Sequence, residues 1–232
     1  MKLAVIPARG GSKRIPRKNI KSFSGKPMIA WSIEAAQGAG LFDRIIVSTD
    51  DTEIASVAKQ YGADVPFMRP AELSDDHIGT SSVIAHAIEW YLANGFEPTQ
   101  ICCIYATAPF LQSTDIERGM KILEQSGADF AFSVTSYAFP IQRAIKLNPD
   151  GRVEMFDQSQ FQMRSQDLPE AYHDAGQFYW GTKDAWLSGG SIFGPNAVPV
   201  NLPRYRVQDI DTMVDWEHAE LMMAVLKNSR LR

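Results

Sequence analysis

Short apolar runs alternate with stretches of helical period along most of this chain, and that alternation leaves few folds open. Residues 3–8, 44–48, 101–105 and 130–134 are apolar runs of strand length. Between them, residues 27–37 carry Met28, Ile29, Ile33 and Ala36 at helical spacing, and residues 52–61, 81–93 and 114–125 repeat the pattern, with Thr114 as the expected N-cap. A chain ordered this way folds as α/β with a mainly parallel, doubly wound sheet. Its 232 residues are 45% hydrophobic, enough to cover one core, so a single domain over residues 1–232 is expected. The rhythm changes over residues 137–175, where Pro140 and the turn Asn148-Pro149-Asp150-Gly151 predict an excursion of antiparallel strands of the sort that packs on a partner subunit. Strands are again expected at 177–180, 198–201 and 205–210, before a closing helix over 214–226.

In open α/β sheets, ligands sit beyond the carboxyl ends of the strands. Small, polar and charged residues collect at those ends here: Arg9 to Lys13, Ser48 to Asp51, Thr107 to Pro109, and Asp209 to Asp211. The first run is the most telling. It breaks into Ala8-Arg9-Gly10-Gly11-Ser12-Lys13-Arg14, followed by Lys18-Asn19. Glycine backbone with open N–H groups among cations suits a polyanionic phosphate. The spacing is neither that of a P-loop nor that of the three-glycine dinucleotide fingerprint.

Charge placement agrees. The net charge is −4, which argues against nucleic-acid or membrane-surface binding, yet residues 2–26 carry Lys2, Arg9, Lys13, Arg14, Arg17, Lys18, Lys21 and Lys26 with no acidic residue. A basic head on an acidic protein suits a small anion. Cys102 and Cys103 are adjacent, so on a strand they face opposite ways and are expected as buried thiols of a reducing compartment. No leader pattern or membrane-length apolar run is evident, and a soluble, cytoplasmic protein is expected.

Asp209-Ile210-Asp211 is the second chemical signal. On a strand, residues two apart share a face about 6–7 Å apart, and both carboxylates reach one hydrated Mg²⁺. The other reading is that Asp211 caps the closing helix. His77, His86, His173 and His218 have no ligand spacing, and His173 beside Asp174 is the best placed of them as a base.

Five separated motifs in register, Ala8 to Lys13 with Lys18-Asn19, Ser48-Thr49-Asp50-Asp51, Arg69-Pro70-Ala71-Glu72-Leu73, Thr107-Ala108-Pro109 and Asp209-Ile210-Asp211-Thr212, resemble the acylneuraminate cytidylyltransferases, the CMP-sialic acid synthetase family. The resemblance runs from the first strand to the last helix. It implies a nucleotide-diphospho-sugar transferase fold and a CTP-dependent, Mg²⁺-using enzyme that makes a CMP-linked nonulosonic acid. It also implies a homodimer joined through the strand excursion.

Carried over by position, the resemblance implies that Ala8, Arg9, Gly10, Gly11, Ser12, Lys13, Lys18 and Asn19 cradle the CTP phosphates. Arg69 with backbone near Thr80 would read cytosine, and Ser82 would lie near the ribose. Arg164, in a segment similar to the family's Arg-Gln-x-Leu-Pro, would meet phosphate or sugar carboxylate, and Asp209 and Asp211 would hold Mg²⁺. Lys13, Arg164 and Asp211 are the expected catalytic residues; Tyr105, Thr107, Arg164, Gln177 and Tyr179 are those expected at the sugar.

Two departures bear on that sugar. Tyr105 to Leu111 lacks the amide and guanidinium of the sialic acid enzymes, and Asp174-Ala175-Gly176-Gln177-Phe178-Tyr179-Trp180 looks like the branch that acts on pseudaminic acid, a deoxy sugar of flagella and surface glycans. Legionaminic and N-acetylneuraminic acids are the alternative acceptors, and a non-catalytic nucleotide-sugar-binding protein is a further reading. An NAD(P)-dependent oxidoreductase is disfavoured by the glycine spacing.

Overall fold

The computed structural model describes residues 1–75 and 78–228. In chain order its elements are β1 (Lys2–Pro7), β2 (Ser22–Phe23), β3 (Lys26–Pro27), α1 (Met28–Ala39), β4 (Arg44–Ser48), α2 (Thr52–Gln60), α3 (Thr80–Ala93), β5 (Gln100–Ile104) and α4 (Ser113–Ser126). After these come β6 (Phe130–Ser136), β7 (Ile145–Leu147), β8 (Val153–Met155), β9 (Tyr172–Thr182), α5 (Lys183–Leu187), β10 (Ala197–Asn201) and α6 (Met213–Asn228).

The main sheet has the order β10-β6-β9-β5-β1-β4. Strand β1 pairs in parallel with β4 and β5, and β6 pairs in parallel with β10. Strand β9 is antiparallel to both of its neighbours and joins the two parallel groups. Strands β1 and β5 read as continuous apolar runs because both of their faces are covered. One face meets α1, α2 and α4 through Ile6, Ile29, Ile33, Ile54, Ile116 and Met120. The other meets α3 and α5 through Leu3, Val5, Ile84, Ile88 and Trp186. Cys102 and Cys103 fall on these opposite faces, both fully buried and free. Burial raises both thiols above the ordinary range, as befits packing residues.

Two expectations are corrected. Residues 205–210 form no strand: a 3₁₀ turn at Arg204–Arg206 uses the Arg206 and Val207 amides, Gln177 takes the Arg206 carbonyl, and the chain leads on into an irregular segment. Thr114 is not an N-cap; the helix begins at Ser113 after Gln112, with no side-chain cap. The excursion does carry an antiparallel hairpin, β7 with β8 joined through Asn148 to Gly151, together with 3₁₀ turns, and its last residues belong to the eleven-residue β9. Among the described residues, no helix is long and apolar enough to cross a membrane.

Candidate active site

The chain leaves β1 at Pro7 and folds residues 9–21 over the carboxyl end of the sheet. This loop is held by its own bonds. Asn19 Nδ2 donates to the Arg9 carbonyl (3.0 Å), the Ile20 and Lys21 amides donate to the Arg17 carbonyl (3.0 Å each), and Arg17 sits in the left-handed region at φ +57°. Ile15 is driven into a small cluster with Phe23, Met28, Phe110, Ile210 and Trp216, which pins the loop against the segment carrying Asp209 and Asp211.

The turn after β4 supports the loop from the other side. The Gly10 N–H donates to Asp50 Oδ1 (2.9 Å), so this amide is engaged within the protein rather than open as the sequence suggested. Asp51 Oδ1 accepts from the Glu53 and Ile54 amides (2.9 and 3.0 Å), capping α2, while the Arg17 guanidinium grips the same carboxylate and that of Glu53. The bond to Arg17 holds the Asp51 carboxyl below the ordinary range.

Beneath the loop lies a cleft of about 320 Å³. It gathers Arg9, Ser12, Lys18, Asn19, Arg69, Thr80, Tyr105 and Thr107 from four separate stretches of sequence. A second recess of about 320 Å³ continues from it, lined by Arg9, Ser12, Lys13, Arg14 and Lys18. Ala8 stands buried at its root, with its amide donating to the Ser48 carbonyl (2.9 Å). Gly11 has open space where a Cβ would stand.

Arg69 is the most informative side chain in the cleft. It is only 6% exposed, and its backbone N–H is tied to the Thr49 carbonyl (2.8 Å). Its Nε and Nη2 are buried, with no hydrogen-bond partner among the described residues. Asp50 Oδ1 stands 3.7 Å from Nη2, an ion-pair neighbour but too far for a hydrogen bond. Burial pulls this guanidinium below its ordinary pKa, with Asp50 opposing. A buried arginine with idle donors is costly unless a ligand completes it.

The carboxylates stand across the loop. Asp211 Oδ2 pairs with Arg14 Nη1 (2.8 Å), and Oδ1 with Lys18 Nζ (3.3 Å), while Lys18 also donates to the Ile210 carbonyl (2.7 Å). Asp209 is exposed; its carboxyl is raised, first by partial desolvation and then by the Asp211 charge. Buried Ile210 separates the two, so they flank the cluster from an irregular segment and not from a strand face. The helix cap is not Asp211 either. Asp215 Oδ2 accepts from the Thr212 amide (2.7 Å) and hydroxyl (2.8 Å), and the Asp215 amide donates back to Thr212 Oγ1 (3.3 Å).

Four expected residues lie away from the cleft. Ser82 is exposed in the first turn of α3 and does not line it. Arg164 is exposed on the excursion and forks onto Asp167 (2.7 and 3.2 Å). Gln177 is buried beneath the sheet end, donating Nε2 to the Arg206 carbonyl (2.6 Å). Tyr179 is buried as well, and its hydroxyl donates to Asp174 Oδ2 (2.5 Å). It reaches the cleft only through Tyr105, whose ring stands 5.2 Å away and whose hydroxyl meets Thr80 Oγ1 (3.1 Å). Phe178, Trp180 and Leu111 are core residues: β9 turns Phe178 and Trp180 against α4 and α1, and Leu111, just before α4, packs into the same cluster. His77 lies outside the described residues; His86, His173 and His218 pack against Phe67, Tyr137 and Gln208, away from the cleft.

Arg14 and Asp50 were not singled out by the sequence as ligands of Asp211 and Gly10. Their only signal was membership of the basic loop and of the Ser48 to Asp51 turn.

Residues 3–221 match the family model described as cytidylyltransferase. The chain belongs to the cytidylyltransferase family. This cytidylyltransferase is 48% identical over 223 residues to the pseudaminic acid cytidylyltransferase of Campylobacter jejuni, with 96% of each chain covered. It is 32% identical to the CMP-N,N'-diacetyllegionaminic acid synthase of Legionella pneumophila, with 95% of each covered. It is 30% identical to the N-acylneuraminate cytidylyltransferase of Escherichia coli, matching 94% of this chain and 51% of that one. Among solved structures, a CMP:2-keto-3-deoxy-manno-octonic acid synthetase complexed with CTP superimposes with TM-score 0.70 at 18% identity, covering 97% of this chain and 99% of that one. That likeness establishes the fold.

Proposed function

We propose that the enzyme transfers CMP from CTP to the anomeric hydroxyl of pseudaminic acid, releasing pyrophosphate. The observation that carries the nucleotide half is Arg69, a buried guanidinium with two idle nitrogens in the cleft. Cytosine offers acceptors at O2 and N3, where uracil carries an N–H at N3, so donors held in place there select CTP. The identity to the Campylobacter jejuni relative supports the sugar half.

The reaction is an in-line displacement at the α-phosphorus. Arg9, Ser12, Lys13 and Lys18 line the recess leading away from the cleft, where they neutralise charge growing on the leaving pyrophosphate. Tyr105 and Thr107 line the side toward the acceptor, and the Thr80 hydroxyl fixes the Tyr105 hydroxyl. The Asp209 and Asp211 carboxylates are hard oxygen donors facing a phosphate loop, a set that fits Mg²⁺. Bound there, Mg²⁺ would supply charge stabilisation at the phosphate oxygens and lower the pKa of a ligated hydroxyl. Before that, Arg14 and Lys18 compensate Asp211.

The excursion supports a homodimer: Phe139, Leu147, Val153, Phe156 and Phe161 are all exposed there, an apolar surface that a second copy of this chain would cover. Reliance on CTP supports a cytoplasmic location. A relative named as a post-translational flagellin modification protein, 31% identical, supports delivery of the CMP-sugar to flagellin or surface glycans.

The test is pyrophosphate release with Mg²⁺ and CTP across pseudaminic, legionaminic and N-acetylneuraminic acids. Pseudaminic acid is expected to have the highest kcat/KM, at least about tenfold above N-acetylneuraminic acid, which corresponds to about 1.4 kcal/mol. Comparable values would overturn the sugar assignment and leave CMP transfer. No release with any of the three would overturn the transfer itself.

A further inference from the structure

The segment 207–212, which carries Asp209 and Asp211, belongs to no helix or strand. No backbone ladder fixes it, so its geometry depends on what holds its two ends and on the Lys18 and Arg14 contacts to Ile210 and Asp211 between them. The downstream end is closed by the Thr212 and Asp215 box, and Ile210 is buried in its middle.

The upstream end is Arg206, a buried residue on a 3₁₀ turn that starts after Pro203. Its guanidinium forks onto the buried Asp115 of α4, with Nη2 at 3.2 Å from Oδ1 and Nη1 on Oδ2. Arg118 Nη2 donates to the same Asp115 Oδ1 (3.2 Å) and to the Asn201 carbonyl (2.7 Å) at the end of β10. The Arg206 carbonyl receives Nε2 of Gln177 (2.6 Å), and Gln177 is itself fixed by its amide on Ser133 Oγ (3.2 Å). Arg206 is thus held by side chain and backbone at once, from two rigid elements, three residues before Asp209.

We infer that Asp115 and Gln177 are positioning residues that set the carboxylate segment through Arg206, so that Gln177 acts on the metal site and not on the sugar. The inference rests on the proposed Mg²⁺ role of Asp209 and Asp211. Neither residue touches a reacting atom. A buried, bidentate arginine pair is directional as well as strong, and so suits orientation. Partners one step removed from a metal ligand typically govern affinity about tenfold to a hundredfold.

The experiment uses the full chain with Mn²⁺ as a paramagnetic probe. Gln177→Leu keeps the buried volume and removes the donor to Arg206; Asp115→Asn keeps the shape and removes the charge. Mn²⁺ binding to the CTP-loaded protein is read by electron paramagnetic resonance, and CTP binding without metal by calorimetry. Expected is Mn²⁺ affinity weakened about tenfold to a hundredfold in Gln177→Leu, with metal-free CTP affinity unchanged. The Mg²⁺ concentration for half-maximal turnover should rise in parallel.

Unchanged Mn²⁺ affinity in Gln177→Leu, a raised KM for the sugar alone, or equal losses of metal-free CTP and Mn²⁺ binding would each overturn the positioning role. Asp115→Asn leaves Arg206 buried without its full charge partner and can fail to fold, which is why Gln177→Leu decides the matter. Asp209→Ala is measured alongside: Mn²⁺ affinity intact in that variant marks failure of the metal reading itself, whereas a loss there with none in Gln177→Leu overturns only the anchor.

Discussion

Asp51 Oδ2 lies 2.7 Å from the point where a Cβ on Gly10 would stand. That oxygen cannot retreat cheaply, because Arg17 grips it and the same carboxylate caps α2. Gly10 is therefore required for contact within the protein, while Gly11 faces open space.

Gly10→Ala should lower stability by about 1–3 kcal/mol, the usual cost of overpacking, and weaken CTP binding. Gly11→Ala should melt like the parent, and any loss it shows should be in nucleotide affinity alone. Thermal denaturation of both variants checks this; equal loss of Tm would contradict it.

The Arg17 and Asp51 pair carries a pH signature. The Asp51 carboxyl is held low mainly by its bond to Arg17, so the pair's contribution is fully present above the ordinary carboxylate pKa and is lost as pH falls through the depressed value. Arg17→Met should cost roughly 0.2–1 kcal/mol near neutral pH, the range of partly exposed pairs. The gap in Tm between variant and parent should close on acidification into that window. A gap that widens instead would show that the carboxyl is not held low.

Arg9 and Lys13 face the recess assigned to the outer phosphates. Arg9→Ala and Lys13→Ala should each weaken CTP about tenfold or more and CMP far less, measured by calorimetry at fixed ionic strength. Equal losses for both nucleotides would move these side chains away from the triphosphate tail.

Asp211 is free of any capping duty, since Asp215 and Thr212 close the helix. Asp211→Ala should cut kcat by about a hundredfold or more with little change in Tm, and Asp209→Ala should raise the Mg²⁺ requirement. Asp215→Ala should do the opposite, costing about 1 kcal/mol of stability through the lost cap. Near-normal turnover of both Asp209→Ala and Asp211→Ala at limiting Mg²⁺ would refute the assignment.

What the sequence made legible follows from range. β1, β4, β5 and β6 could be read from their apolar runs, and α1 and α3 from a single apolar stripe, because burial imprints local periodicity. The basic loop was legible for the same reason, its cations and glycines being neighbours in the chain. Asp115 and Arg206 are 91 residues apart, and nothing local marks either as the other's partner. Residues 205–210 have the composition of a strand, but backbone groups that a ladder would need are taken by Gln177, which donates to the Arg206 carbonyl, and by the 3₁₀ turn, which uses the Arg206 and Val207 amides. Gln177 and Tyr179 were placed at the sugar by motif. Their side chains are buried on β9, and only packing reveals that they address Arg206 and Asp174.

Strands β6 and β9 are adjacent and antiparallel, and the Tyr137 amide bonds the Ala171 carbonyl (3.0 Å) where the chain departs from one and rejoins the other. The intervening residues are therefore a side trip with a closed neck, entered and left at one point on the sheet. Such a neck makes the accessory hairpin a detachable module: its length and surface can be exchanged while the strand order and the cleft beneath the basic loop stay as they are.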